Sequence, residues 1–226
     1  MNHSVNMQKF LEELPFWKQL SDPSKALLRD GIQSIQYPAG AQVASTDSDC
    51  LGTLFVQKGI MRVYLLSEDG KEATIYRLHP GEVCVLTASC LISGITFDVQ
   101  IDAETACDTL LIPSRILSVL MEENVYVENY VYKLTTEHFS KVISAMERIF
   151  FLSLRQRIAA FLIDESAEQN TNTLSITQEQ MARAIGSARE AVSRTLKQMT
   201  KEGILDVTRG GLQILDKSRL YQDLSI

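Results

Sequence analysis

The stretch ITQEQMARAIGSAREAVSRTLKQMTKEGIL, Ile176–Leu205, holds two short apolar patterns joined at one glycine. Thr177 and Gln180 have the spacing of a capping box, in which the Thr oxygen accepts from the third helical N–H and Gln reaches back. A short helix follows, to about Ile185, and Gly186 supplies the turn. Ser187 and Glu190 repeat the S-x-x-E pattern, which predicts that a second helix starts at once. Ala182, Ile185, Val192 and Leu196 can interlock as a shared core. Two short helices joined by a glycine turn make a helix-turn-helix.

On the second helix Arg189, Glu190, Ser193 and Arg194 sit at offsets that point one way,. Ala188, Val192, Leu196 and Met199 point the other way, toward a core. In this motif the second helix enters the major groove of double-stranded DNA and its first residues meet base edges. Arg can donate twice to guanine, Glu can accept from cytosine N4, and Ser serves either role. A helix that only gripped phosphates gains nothing from a carboxylate, so Glu190 argues for base reading. Its capping role is an alternative, and both can hold together. A surface pair between Arg194 and Glu190 is the plainer reading of Arg194. Beyond this helix, Leu205–Thr208 and Leu212–Leu215 read as strands closed by Arg209-Gly210-Gly211, a wing with Arg209 at its tip. Arg209 and the hydroxyls of Thr177 and Ser187 are candidate phosphate contacts.

The rest of the chain has a different character. The 226 residues carry a net charge of −6, yet the last fifty-six are net basic and the first 170 strongly acidic. An acidic body with a mildly basic tail suits a nucleic-acid module attached to something else. No apolar run reaches the roughly 18–20 residues needed to cross a bilayer. The N-terminal MNHSVNMQKFLEELPFW lacks a signal-peptide apolar core,. A cytoplasmic location and no membrane partner are expected. Cys50, Cys84, Cys90 and Cys107 have no C-x-x-C spacing,. They read as free, mostly buried thiols of a reducing compartment.

Residues 7–31 look helical, with Pro15 and Pro23 as breaks. From Ile35 to Pro113, short runs of Val, Ile, Tyr, Phe and Thr alternate with turn signals, and Gly59, Gly70 and Gly81 fall eleven residues apart. That is the rhythm of short antiparallel strands in a sandwich or barrel. GIMRVYLLSEDGKEATIYRL reads as a hairpin with Asp69-Gly70 at its turn,. From Ser114 the turn signals stop. Val127, Val131, Leu134, Val142, Ala145, Met146 and Ile149 recur mostly three or four apart,. A continuous helix from Val125 to Ile149 would span roughly 37 Å at about 1.5 Å per residue. A seam between two copies is the sharper reading, with Val127, Val131, Leu134, Val142 and Met146 on it. A core helix lying across the sheet is the plainer one. SLRQRIAAFLIDESAEQ reads as a further helix and NTNTLS as a loop. The fold class is α+β: a β-rich body over residues 1–113, a long helix within 114–150, and a winged helix-turn-helix over 151–226.

Nearly the whole layout resembles the CRP/FNR family of bacterial transcription regulators. YPAG, VQKGIMRVYLLSEDGKE and LHPGEV look like that family's cyclic-nucleotide-binding-type β-roll, and the long helix looks like its dimerisation helix. The resemblance implies a homodimer on a palindromic promoter site, contact with RNA polymerase, and an effector on the β-roll. It places Glu190, Ser193 and Arg194 at the family's base-reading positions and Arg189 where members that also read with Arg have one. E-x-x-S-R is closer to the FNR side, which implies half-sites with a TGA-like core and Arg194 on its guanine.

The phosphate cassette departs from the family. GEVCVLTASCLISGITFDVQIDAET keeps Gly81 and Glu82 but has no Arg or Lys between Gly81 and Thr105. A buried phosphate without a cation is costly. Tight binding of cyclic AMP or cyclic GMP is therefore not expected. Nor do residues 1–49 hold the N-terminal cysteines of the iron–sulfur members. The effector pocket is expected around Gly81, Glu82, Cys84, Thr87, Ser89 and Cys90. Small core residues lining an apolar pocket are the plainer reading of Cys84 and Cys90. A thiol redox sensor, or a haem pocket with His79 or His138 as ligand, is the sharper one. The effector, small-molecule or redox, and any cofactor stay unidentified at this level.

An enzyme is the main rival. The chain has no P-loop, no G-x-G-x-x-G and no H-E-x-x-H, and three histidines in no recognisable context,. A cupin-type enzyme needs a His-rich metal site. A constitutive DNA binder with a ligand-free β-roll is the third possibility.

Overall fold

The computed structural model describes residues 2–44, 51–85 and 99–225. The chain divides into two compact units, Met1–Val63 with Tyr76–Val142, and Tyr64–Ile75 with Ile143–Ile226.

The first unit opens with α1 (Asn2–Glu13), a single 3-10 turn at Trp17–Gln19, and α2 (Asp22–Gly31). Ser21 Oγ accepts the Ser24 N–H at 3.2 Å and starts α2. Pro23 falls in the first turn, where a missing N–H costs nothing,.

Eight strands follow among the described residues: β1 (Gln33–Tyr37), β2 (Gln42–Ala44), β3 (Gly52–Lys58), β4 (Met61–Leu66), β5 (Glu72–Leu78), β6 (Val83–Cys84), β7 (Gln100–Ala103) and β8 (Cys107–Pro113). They form two four-stranded sheets, ordered β1-β8-β3-β6 and β2-β7-β4-β5. Ile35 faces Thr109 and Phe55 faces Leu110 across antiparallel pairs. The expected Asp69-Gly70 turn joins β4 to β5, where Ser67 and Lys71 close it at 2.9 Å.

β3 does not alternate in burial: Gly52 to Val56 are all covered. One side, Phe55 with Leu110 and Ile112, packs on Leu11, Phe16, Leu28 and the following helices. On the other, Leu54 and Val56 are buried, as are Met61, Val63, Leu78 and Ile101. Each such side chain contributes about 1.5–3 kcal/mol.

The glycine-free segment after β8 forms two helices, α3 (Ser114–Glu123) and α4 (Val125–Phe151). Asn124 makes the break. Its backbone leaves the helical region, with φ −145° and ψ 109°. Its Oδ1 accepts the Tyr126 N–H at 3.0 Å and its Nδ2 donates to the Gln19 carbonyl at 2.8 Å. A short polar side chain can thus end one helix and begin the next.

The assignment of Val127 and Val131 to a seam needs correcting. They are 0% and 1% exposed, packed into the core with Leu11, Phe16 and Ile116. Their own protomer leaves no surface for a second copy. Leu134 and Val142 are half-buried, and Met146 is exposed.

The second unit contains α5 (Leu154–Glu168), β9 (Thr173–Leu174), α6 (Gln178–Ile185), α7 (Arg189–Lys201), β10 (Leu205–Thr208), β11 (Gly211–Ile214) and α8 (Lys217–Leu224). One core joins Ile158, Leu162, Met181, Ala182, Val192, Leu196, Met199, Leu212 and Leu220. β9 lies within the segment read as a loop. It pairs with β11, Leu174 opposite Leu212, and makes the wing three-stranded. Gly211 permits this: a Cβ there would stand 2.4 Å from the Leu174 carbonyl oxygen.

Candidate nucleic-acid interface and effector pocket

α6 begins with the expected capping box. Thr177 Oγ1 accepts the Gln180 N–H at 3.1 Å, and Gln180 Oε1 accepts the Thr177 N–H at 2.9 Å. The Thr177 hydroxyl also donates to Gln180 Oε1 at 2.9 Å, so its proton is already engaged within the chain. α6 ends at Gly186, whose φ of +64° is left-handed backbone that favours glycine,.

The second expected capping box is absent. The N-cap of α7 is Ala188, with no side-chain bond, and Ala188 is exposed. The reason lies one residue earlier. Ser187 donates its N–H back to the Ala182 carbonyl at 2.9 Å, closing α6, and α7 starts only afterward. The Ser187 hydroxyl and the Glu190 carboxylate therefore have no hydrogen bond or ion pair within the chain among the described residues.

Arg189, Glu190 and Arg194 are exposed and Ser193 is half-buried, while Val192, Leu196 and Met199 are at most 1% exposed. No ion pair joins Arg194 to Glu190 among the described residues, so the plainer surface reading of Arg194 has no support. Arg209 is exposed at the wing turn, between Thr208 and Gly211, which pair directly.

At the far end of α7 lies an anchor that sequence reasoning missed. Arg155 of α5 donates to both Glu202 oxygens, at 3.0 and 2.6 Å, and through Nε to Asp223 at 2.9 Å. These bonds, Glu202 first, raise the guanidinium further above its ordinary range. The partners are 47 and 68 residues away, and no local pattern points to them.

Residues 156–222 match the Crp-like helix-turn-helix domain family, and residues 34–124 match the cyclic nucleotide-binding domain family. A solved CRP/FNR-family protein from Eubacterium rectale is 36% identical. The match covers 94% of this chain and 99% of that one, with a TM-score of 0.90. The chain belongs to the CRP/FNR family of transcription regulators. The transcriptional regulator SdrP of Thermus thermophilus is 28% identical over 177 residues, 74% of this chain and 81% of its own. The c-di-GMP-responsive regulator CLP of Xanthomonas campestris shares the fold, with a TM-score of 0.70 at 20% identity over 86% of this chain and 99% of its own.

In this CRP/FNR chain the β-roll site is only partly within view. Thr87, Ser89 and Cys90 lie outside the described residues. Gly81 and Glu82 form a turn: the Glu82 N–H meets the His79 carbonyl at 2.9 Å, and Glu82 Oε2 accepts the His79 N–H at 2.7 Å. Lys141 of α4 donates to Glu82 Oε1 at 2.7 Å. Burial alone would raise the Glu82 carboxyl, but Lys141 and the His79 N–H outweigh it and hold it below its ordinary value.

Cys84 is fully buried on β6. His138, 4% exposed, places Nε2 2.7 Å from the Val83 carbonyl. A carbonyl only accepts, so Nε2 carries the proton and Nδ1 is left with a lone pair and no partner among the described residues,. Tyr76 lies beside it, ring centroids 5.1 Å apart, with a buried hydroxyl that also has no partner among the described residues. Burial raises the Tyr76 phenol and lowers His138. Lys141 and Tyr76 were not singled out from sequence. Their roles depend on α4 meeting the β5–β6 corner. No helix among the described residues is long and apolar enough to cross a membrane.

Proposed function

We propose that this chain acts as a cytoplasmic homodimer that reads an inverted-repeat promoter site and responds to an effector other than cyclic AMP or cyclic GMP. One observation carries the reading: the first turns of α7 expose Arg189, Glu190 and Arg194, none paired within the chain among the described residues. Arg194 and Arg189 would donate to guanine, Glu190 would accept from cytosine, and Ser193 would adapt to either. Ser187 and Arg209 would take phosphates directly, and Thr177 would do so only by giving up one of its bonds to Gln180,. Residues 1–113 would sense, 114–150 dimerise, and 151–226 bind DNA.

The dimer seam would use the outer face of α4. Tyr132, Phe139, Ile143, Met146 and Phe150 are all exposed there, spaced seven, four, three and four apart. That is the 3.5-residue repeat of a two-stranded coiled coil. Leu134 and Val142 would flank it. Such a dimer sets two α7 helices against half-sites about 34 Å apart.

Two facts support exclusion of cyclic nucleotides. The cassette lacks a cation between Gly81 and Thr105. The Glu82 carboxylate is already engaged by Lys141 and His79. Contact with RNA polymerase and the absence of catalysis follow from the same reading.

The test is site selection from random duplexes. A recovered inverted repeat with a TGA-like core supports the proposal, and no enriched sequence overturns it. Calorimetry with cyclic AMP checks the effector clause, which a micromolar or tighter dissociation constant would sink.

A further inference from the structure

All but one of the arginines of the second unit fall into two groups. Arg148, Arg155, Arg183 and Arg219 each face a carboxylate. Arg189, Arg194 and Arg209 are exposed on the proposed reading side. Arg157 of α5 fits neither group. It is half-buried, and no carboxylate pairs with it among the described residues. Its Nη1 donates to the Ile185 carbonyl at 2.9 Å and lies 3.4 Å from the Gly186 carbonyl. Its Nε is buried without a partner among the described residues.

A half-buried cation without a counter-anion is costly to keep. Here the compensation comes from the end of α6. Its last carbonyls have no intrahelical partner and carry the negative end of the helix dipole. Those carbonyls belong to the turn that aims α7. Gly186 sits in left-handed backbone and Ser187 closes back on Ala182. Arg157 grips the two carbonyls between them. Rotation of either peptide would swing Ser187, Ala188 and the start of α7. Bidentate contacts to a base edge tolerate little misalignment.

We infer that Arg157 is a positioning residue for base reading, holding the Ile185–Gly186 peptides so that α7 meets the groove at one angle. The inference rests on the reading of α7 as the base-reading helix.

The experiment uses the full chain with Arg157→Met and Arg157→Lys. One probe is a duplex with two inverted TGA half-sites, and the other is a scrambled duplex of the same length and composition. Binding is read by fluorescence anisotropy, and amide hydrogen exchange is read at Gly186 and Ser187. For Arg157→Met we expect at least a tenfold loss on the half-site duplex and less than twofold on the scrambled one. Exchange at the two amides should quicken at least tenfold. Arg157→Lys, which keeps a charge but not the fork, should show the same pattern at smaller size. It also serves as the test if the Met variant does not fold. Unchanged preference overturns the inference, as does equal loss on both duplexes, which would mean that the charge acts on phosphates directly. If the wild-type chain does not prefer the half-site duplex, the proposed function fails for that site. The exchange readout still decides whether Arg157 holds the turn, and unchanged protection overturns it.

Discussion

Ser187 closes the helix before it and does not cap the one after it: its N–H lies 2.9 Å from the Ala182 carbonyl oxygen. Its hydroxyl has no hydrogen bond among the described residues, whereas the Thr177 hydroxyl holds the start of α6. Thr177→Ala should lose about 1 kcal/mol of stability. Ser187→Ala should stay within about 0.5 kcal/mol of wild type, yet weaken DNA binding. Urea unfolding and anisotropy on the same variants separate the two effects.

Arg194 and Arg209 should fail differently. Loss of a bidentate base contact costs about 1–3 kcal/mol of discrimination per half-site. Arg194→Ala should therefore erase the preference for the selected site while leaving scrambled DNA bound as before. Arg209→Ala should weaken both duplexes alike and flatten the dependence on salt. A salt titration of both variants on both duplexes checks this.

α4 has two apolar faces with opposite fates. Phe139 is 61% exposed and Val131 is 1% exposed. Phe139→Glu should give a folded monomer by sedimentation. Val131→Glu should instead destabilise the first unit by several kcal/mol, because a buried carboxylate there has no cation. A stable dimer of Phe139→Glu would show that the seam lies elsewhere.

His138 sets a pH dependence. Burial lowers its folded pKa below the unfolded value of about 6.5,. The unfolded chain then takes up a proton that the folded chain refuses. The stability is fully present above about pH 6.5 and is lost as pH falls toward the lower folded pKa. Glu82, also lowered, acts in the same direction at more acid pH. His138→Gln should flatten the slope of unfolding free energy below about pH 6.5. An unchanged slope would assign the acid sensitivity to another group.

The helix-turn-helix was legible because its signals are local. The Thr177–Gln180 box, the glycine turn and the Val192–Leu196–Met199 stripe each span a few residues. The Asp69-Gly70 hairpin and the β-rich rhythm of residues 35–113 were legible for the same reason. The second capping box misled because Ser187 has two compatible uses, and the closing of α6 took precedence. β9 was missed because two residues carry no period; only pairing with β11 makes them a strand.

Sequence alone determined the α+β class, most of the elements and the residues that face outward on α7, since helix and strand periods and caps act within a turn or two of chain. Tertiary structure decided the rest. It chose which apolar face of α4 the protomer covers, and it set Lys141 on Glu82, Arg155 between Glu202 and Asp223, and Arg157 on the α6 carbonyls. The physical reason is common to all of them. Apolar burial does not distinguish one stripe from another until a partner surface is in place. A charged side chain likewise shows no preference along the chain for a partner some 28 to 68 residues away.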